Sequence, residues 1–150
     1  MRITRDEMLM EIARIVARRS TCNRAQVGAV VAQNGRIVST GYAGAPSGLP
    51  HCDPHICNAE KPCTRTVHAE AGAISYAARS GIRLEGATLY CTHCPCKSCA
   101  GLIINSGIVR VIYLKPYRLT EGLDLLKEVG IRVEQWQPED GSLQDHVSQQ

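Results

Sequence analysis

The fold is decided by one stretch of the chain, VHAEAGAISYAARSGIRLEGATLYCTHCPCKSCAGLIINSGIVRVIYL, which runs from Val67 to Leu114. Its apolar spacing and its glycines predict two helix and strand pairs in succession: a helix over Val67–Arg79, a strand over Ala87–Cys91, a helix over Cys96–Ser106 and a strand over Ile108–Leu114. Strands that alternate with helices pair in parallel, so this stretch predicts the parallel part of an α/β sheet.

The flanking segments complete this sheet. Two β-branched runs lie on either side of Asn34-Gly35, which is the strongest short signal for a hairpin. The predicted strands of this hairpin are Val27–Ala32 and Arg36–Thr40, and the remaining elements are helices over Ile3–Arg18 and Leu119–Val129 and a last strand over Ile131–Trp136. We therefore expect a three-layer α/β/α fold with a five-stranded mixed sheet, as one domain over residues 1–150 with a polar tail from about residue 138.

Composition narrows the class of protein. With 44% hydrophobic and 21% charged residues, the chain has the balance of a soluble globular protein, and its uncharged runs are too short for a membrane span. The amino-terminal sequence MRITRDEMLM has acidic residues where a signal peptide is apolar, so we expect a cytoplasmic protein. The net charge of +3 and the 4% of aromatic residues do not suggest the basic, ring-lined groove of a nucleic-acid binder, which favours a small substrate.

The eight cysteines favour metal ligation, because the cytoplasm keeps thiols reduced. His68-Ala69-Glu70 begins one predicted helix, and Pro95-Cys96-Lys97-Ser98-Cys99 begins another. Two cysteines three residues apart at a helix start can present both sulfurs to one zinc ion, and His68 supplies a further ligand. Three protein ligands leave the fourth tetrahedral position open, as in catalytic zinc sites. The alternatives are a structural C-x-x-C knuckle and a Glu that only caps its helix.

Glu70 follows His68 by two residues, so its carboxylate is expected to reach the metal-bound water rather than the metal. The H-x-E and P-C-x-x-C pair resembles the signature of zinc-dependent deaminases. This resemblance implies a mechanism in which zinc-bound hydroxide attacks C4 of a cytosine ring, and Glu70 carries protons to N3 and to the departing ammonia. Backbone groups beside the ligands, at Ala69 and Pro95, are candidate substrate contacts.

Beyond this pair, the chain resembles the cytidine and deoxycytidylate deaminase family, and within it the deoxycytidylate branch of bacteria and phages. The matching stretches include CNRAQVGAVV at residues 22–31, RIVSTGYAGAPSGLPHC at 36–52 and RTVHAEAGAISYAARSG at 65–81. The resemblance implies a cytidine-deaminase-like fold and conversion of dCMP to dUMP. It also implies that Arg79 meets the substrate phosphate and that Tyr117 lines the substrate site.

The same resemblance implies a homo-hexamer that dCTP with Mg²⁺ activates and dTTP inhibits, at a site built around a Gly-Tyr-Asn-Gly loop. Here that loop is Gly41-Tyr42-Ala43-Gly44, and the methyl group of Ala43 makes no hydrogen bond. Gly72 likewise stands in the catalytic helix where the family usually has Asn. These two departures put the regulatory contacts in question.

A second, structural zinc is also predicted. Some relatives hold one with cysteines that match Cys22 and Cys52, and the Pro-rich loop adds Cys57 and Cys63, with His51 and His55 as further candidates. This irregular loop has no hydrophobic core of its own, and metal binding would stabilise it instead.

Three other functions remain open at this stage. The same zinc chemistry serves deaminases that act on a base in tRNA or single-stranded DNA, and deaminases of free cytidine. A zinc-stabilised nucleotide-binding regulator would keep the metal ligands without needing Glu70.

Overall fold

The computed structural model describes residues 1–52, 57 and 63–138. The predicted polar tail lies almost wholly outside the described residues, as does His55. The described residues form four helices and five strands: α1 (Arg5–Ala17), β1 (Gly28–Gln33), β2 (Arg36–Tyr42), α2 (Ala69–Arg79), β3 (Thr88–His93), α3 (Lys97–Asn105), β4 (Arg110–Lys115), α4 (Glu121–Glu128) and β5 (Arg132–Gln135). Every predicted element is present, with ends that move by one or two residues.

The five strands form one mixed sheet in the order β2-β1-β3-β4-β5. β1 pairs antiparallel with β2 and with β3, whereas β3, β4 and β5 are parallel. Asn34 and Gly35 both have positive φ, at 51° and 74°, as a two-residue type I′ hairpin turn requires. The predicted hairpin and mixed sheet are confirmed, and β2 and β5 form the two edges.

The helices cover the two faces of the sheet unequally. One core cluster joins α1 to the sheet through Leu9 and Met10, and the larger one gathers α2, α3 and α4 on the opposite face. We expected the crossover helices to cover both faces. Instead α3 and α4 share one face, because right-handed crossovers that step in the same direction across a sheet place their helices on the same side.

α1 is held at its start by a capping box and by a charged cluster. The Thr4 side chain accepts from the Glu7 N–H, and Glu7 accepts in return from the Thr4 N–H. Asp6 of α1 accepts two hydrogen bonds from the Arg110 guanidinium, at 3.1 and 2.8 Å, and one from the Tyr90 hydroxyl at 2.7 Å. The Arg110 hydrogen bonds lower the pKa of Asp6 despite its partial burial. This cluster ties α1 to β3 and β4.

The predicted irregular segment between β2 and α2 carries neither helix nor strand in its described part beyond a single bridge between Gly44 and Val67. Among the helices of the described residues, none has the length and apolar character needed to cross a membrane.

Candidate metal centre and active-site pocket

Two helices begin at the same point above the carboxyl end of β3. α2 precedes β3 in the chain and α3 follows it, and both pack on one face of the sheet. His68 is the N-cap of α2 and Cys96 is the N-cap of α3. Two helix amino-terminal ends, each with a partial positive charge, therefore meet at this edge.

This arrangement brings together the three predicted zinc ligands. The Nδ1 atom of His68 lies 3.5 Å from Cys96 Sγ and 3.6 Å from Cys99 Sγ. With zinc bonds of about 2.05 Å to nitrogen and 2.3 Å to sulfur, tetrahedral angles place N and S about 3.6 Å apart. Among the described residues, this is the one group of three His, Cys, Asp or Glu whose ligand atoms all lie within 4.8 Å of one another. The side chains thus fit a tetrahedral zinc ion.

Glu70 stands beside these ligands in the first turn of α2 and is only 3% exposed. Burial raises the pKa of its carboxyl group, and its hydrogen bonds and the nearby His68 partly oppose that rise. Burial likewise raises the pKa of the Cys99 thiol in the metal-free protein, and a bound cation would counter this effect. A buried carboxyl group of this kind is suited to exchange protons near neutral pH.

A pocket of about 390 Å³ opens onto this group. Its lining includes His68, Ala69, Glu70 and Cys96, and also Tyr117, which is 55% exposed. Ala69 and Tyr117 therefore both line this pocket, and their contact with a substrate stays a prediction. Pro95 is buried and does not line the pocket, whereas its neighbours Cys94 and Cys96 do.

Arg79 does not reach this pocket. It is the last residue of α2, nine positions after Glu70, and a rise of about 1.5 Å per residue separates the two backbones by about 13 Å along the helix axis. Of the described residues that line the pocket, Arg24 is the one that carries a permanent positive charge. Sequence reasoning missed Arg24, although it lies within the CNRAQVGAVV stretch that carried the resemblance.

The Gly41-Tyr42-Ala43-Gly44 loop supports the pocket. A Cβ atom at Gly41 would lie 2.1 Å from the Ala69 carbonyl oxygen, so the absence of a side chain there lets β2 pack against the start of α2. Ala43 is buried and lines the pocket, and its carbonyl oxygen accepts from the Ser20 hydroxyl at 2.6 Å. A regulatory role for the loop stays a prediction.

The four thiols of the predicted second zinc site lie on this side of the molecule without forming a compact group. Arg24 Nε donates to Cys57 Sγ at 3.3 Å, and Thr66 contacts both Cys52 and Cys63. Hydrogen bonds from the Thr66 side chain and from nearby backbone N–H groups lower the pKa of Cys63 to about 7. Cys22 and Cys63 line the active-site pocket. The second site stays a prediction.

Gly122 supports the metal centre from α4, and the sequence alone did not single it out. A Cβ atom at this position would lie 2.3 Å from the Pro95 carbonyl oxygen and 2.8 Å from the Cys96 carbonyl carbon. The first turn of α4 therefore rests on the backbone of Cys96, a predicted zinc ligand.

Comparisons with a family model, with curated proteins and with solved structures all find deaminases. The family model for the cytidine and deoxycytidylate deaminase zinc-binding region matches residues 3–115. The deoxycytidylate deaminase of Mycobacterium phage D29 is 43% identical over 122 residues, covering 73% of this chain and 94% of that protein. ComE operon protein 2 of Bacillus subtilis (strain 168) is 36% identical over 136 residues, covering 89% of this chain and 72% of that protein. The crystal structure of the dCMP deaminase from cyanophage S-TIM5 in complex with dCMP and dUMP aligns with a TM-score of 0.82 at 35% identity, covering 91% of this chain and 99% of that chain.

Proposed function

This chain belongs to the cytidine and deoxycytidylate deaminase family, and we propose that its reaction is the hydrolysis of dCMP to dUMP and ammonia. The observation that carries the proposal is the group of His68, Cys96 and Cys99, at tetrahedral spacing beside the buried Glu70. A nucleotide-binding regulator would need the metal ligands but not a buried carboxyl group aimed at the same point.

His68, Cys96 and Cys99 would hold the zinc ion. When bound, zinc supplies a water nucleophile that is activated near neutral pH. Glu70 accepts a proton from the attacking water and donates it to N3 of the cytosine ring, which makes C4 more electrophilic. After the water oxygen has bonded to C4, Glu70 carries the remaining proton of that oxygen to the amino group, so that the C4–N bond breaks, ammonia leaves and a carbonyl group forms at C4. The pocket walls at Ala69 and Cys94 hold the ring against this carboxyl group.

We assign the substrate phosphate to Arg24 rather than to Arg79. Arg24 lines the pocket, whereas Arg79 ends the same helix that Glu70 begins. A guanidinium group suits a phosphate because its planar donors can bind two oxygen atoms at once. Tyr117, which lines the same pocket, is placed to contact the sugar or the phosphate.

Two variants test this assignment. Loss of a charge-assisted hydrogen bond costs about 1.5–3 kcal/mol, so Arg24→Gln should raise the KM for dCMP about 10- to 100-fold. Deoxycytidine, which has no phosphate, should be turned over by Arg24→Gln as by the unsubstituted enzyme. Arg79→Gln serves as the matched control and should leave both substrates unaffected. If Arg79→Gln alone impairs dCMP turnover, the phosphate lies at Arg79, which would have to come from another chain.

The reaction itself is tested by ammonia release from dCMP, CMP, deoxycytidine and a short cytosine-containing DNA. The expected outcome is a kcat/KM for dCMP well above the values for CMP, deoxycytidine and the DNA. Turnover of the DNA alone would move the substrate to nucleic acid, and turnover of deoxycytidine above dCMP would identify a nucleoside deaminase. Glu70→Gln should abolish ammonia release and retain the catalytic zinc. Persistent turnover in this variant would contradict the role of Glu70.

The finer properties implied by the family are part of the proposal. They are activation by dCTP with Mg²⁺, inhibition by dTTP, a homo-hexamer, and a location in the cytoplasm, where the eight free thiols would stay reduced. Sedimentation and assays with each effector test them. Because Ala43 makes only backbone hydrogen bonds, we expect a weaker effector response than in a family member with Asn at this position.

A further inference from the structure

Arg24, the proposed phosphate contact, lies on a stretch of chain outside the helices and strands. Residues 21–27, all of which the structure describes, join α1 to β1 and are neither helix nor strand. Arg24, Ala25 and Val27 of this segment line the active-site pocket. Because the hydrogen-bond ladder of a helix or strand does not fix such a segment, its course depends on individual contacts of its backbone groups.

Both ends of the segment 21–27 are fixed. At the end of α1, the Ser20 N–H donates to the Ala17 carbonyl oxygen at 3.0 Å. At the start of β1, the Gly28 N–H donates to the buried Thr92 hydroxyl at 3.1 Å. A Cβ atom at Gly28 would lie 2.3 Å from the Ala13 carbonyl oxygen, so β1 begins in close contact with α1. The position of Arg24 is therefore decided by contacts made between these two ends.

The Ser20 hydroxyl contacts the backbone on both sides of Arg24. It accepts from the Cys22 N–H at 3.3 Å, and the Ala25 carbonyl oxygen lies 3.2 Å from it as an acceptor. Its shortest hydrogen bond is the one that it donates to the Ala43 carbonyl oxygen, at 2.6 Å. One hydroxyl group therefore connects the two sides of Arg24 to the loop that supports the pocket.

Ala43 also holds the two ends of the segment 21–27. Its carbonyl oxygen accepts from the Thr21 N–H at 3.0 Å, and its own N–H donates to the Val27 carbonyl oxygen at 2.9 Å. Ala43 is buried and lines the pocket. The segment is thus attached to a buried residue at its beginning and at its end, and the Ser20 hydroxyl supplies contacts at residues between them.

We propose that Ser20 is a positioning residue for substrate binding, whose hydroxyl holds the segment 21–27 in the course that presents Arg24 to the substrate phosphate. This inference rests on the proposed assignment of the phosphate to Arg24. Ser20 does not itself line the pocket, so it acts through the segment and not on the substrate. Loss of the hydroxyl should therefore weaken the binding of a phosphorylated substrate and leave the reaction at C4 unchanged.

The test compares Ser20→Ala with Ser20→Thr, which keeps a hydroxyl group, in the zinc-loaded enzyme. Ser20→Ala should raise the KM for dCMP about 3- to 10-fold, the range expected for the loss of a neutral hydrogen bond, and should change kcat less than about twofold. Turnover of deoxycytidine, which has no phosphate, should change less than about twofold. Ser20→Thr should restore most of the KM.

Two further variants separate positioning from general stability. Ser106→Ala is the matched control, because the Ser106 hydroxyl also donates to a backbone carbonyl oxygen, that of Ile103 at 2.7 Å, and does not line the active-site pocket. It should lower the melting temperature about as much as Ser20→Ala and leave both substrates unaffected. When Arg24→Gln is already present, Ser20→Ala should raise the KM for dCMP less than about twofold further, because the group that it positions is gone.

An unchanged KM in Ser20→Ala, together with a raised KM in Arg24→Gln, would overturn this inference alone. A full additional effect of Ser20→Ala on top of Arg24→Gln would also overturn it, as would an equal loss of deoxycytidine turnover or a loss of zinc from Ser20→Ala. An unchanged KM in Arg24→Gln would overturn the phosphate assignment and this inference together. Absence of dCMP turnover in the unsubstituted enzyme would overturn the proposed reaction, and the inference with it.

Discussion

Gly122 tests how the metal centre is positioned, because a methyl group added at this residue would overlap with the backbone of Pro95 and Cys96. In Gly122→Ala, the new Cβ atom would lie 2.3 Å from the Pro95 carbonyl oxygen and 2.9 Å from that of Cys96. Carbon and oxygen atoms in ordinary contact are about 3.5 Å apart, so either α4 or the Pro95–Cys96 backbone must move by about 1 Å. Cys96 is both a predicted zinc ligand and the N-cap of α3, so this movement changes the metal geometry.

The expected effects on activity and on stability differ in size. A misplacement of about 1 Å at a reacting centre can cost about 100-fold in rate, so kcat/KM for dCMP should fall by one to two orders of magnitude. Overpacking costs about 1–3 kcal/mol, and the better helix propensity of Ala offsets up to about 1 kcal/mol of it. The free energy of unfolding, measured in urea, should therefore decrease by about 2 kcal/mol or less.

Gly101→Ala is the matched control. Gly101 lies inside α3, and a Cβ atom there meets nothing within 4 Å. This variant should gain about 0.4–1 kcal/mol of stability and keep full activity. The reasoning fails if Gly122→Ala is as active and as stable as the unsubstituted enzyme, or if Gly101→Ala loses as much activity.

Further predictions concern charge and metal. Asp6→Asn should cost about 1–2 kcal/mol at pH 7, because it removes the negative charge and one of the two oxygen atoms that accept from Arg110, in an ion pair that is partly exposed to solvent. Because the folded-state pKa of Asp6 is lowered, its contribution is present above the unfolded pKa of about 3.9 and is lost as the pH falls through the folded value. The difference between Asp6→Asn and the unsubstituted protein in urea unfolding should therefore shrink below about pH 4, and a difference that stays constant down to pH 2 would contradict this. Chelation should abolish activity and lower the melting temperature, with both restored by zinc, and Cys99→Ser should lose one zinc per chain. Metal analysis should find about two zinc ions per chain, and a value near one would remove the second site.

The sequence predicted the hairpin and the group of three predicted metal ligands, because short motifs determine both. Asn34-Gly35 identified the hairpin because few residues adopt positive φ readily. His68, Cys96 and Cys99 could be linked because the motif places them at helix starts, and the parallel topology brings both starts to one sheet edge. Cys91, the last residue of the predicted strand Ala87–Cys91, is fully buried in β3.

What the sequence could not supply were contacts between distant segments. Arg24 lies on an irregular segment whose course depends on packing against the pocket, so no periodicity marks it. The predicted helix over Val67–Arg79 already separates Arg79 from Glu70 along its axis, but which segment faces Arg79 depends on contacts outside that helix. The need for glycine at position 122 arises from α4 meeting a backbone 26 residues earlier, which no local pattern records.

The two edges of the sheet carry different risks of aggregation. β5 is four residues long and bears Arg132 and Glu134, a short and charged edge that disfavours pairing with another chain. β2 is seven residues long, lies at the other edge of the sheet, and includes the apolar residues Ile37 and Val38. On heating, partly opened molecules are therefore expected to associate through β2, so a lysine placed at Ile37 should delay visible aggregation more than one placed at any position in β5.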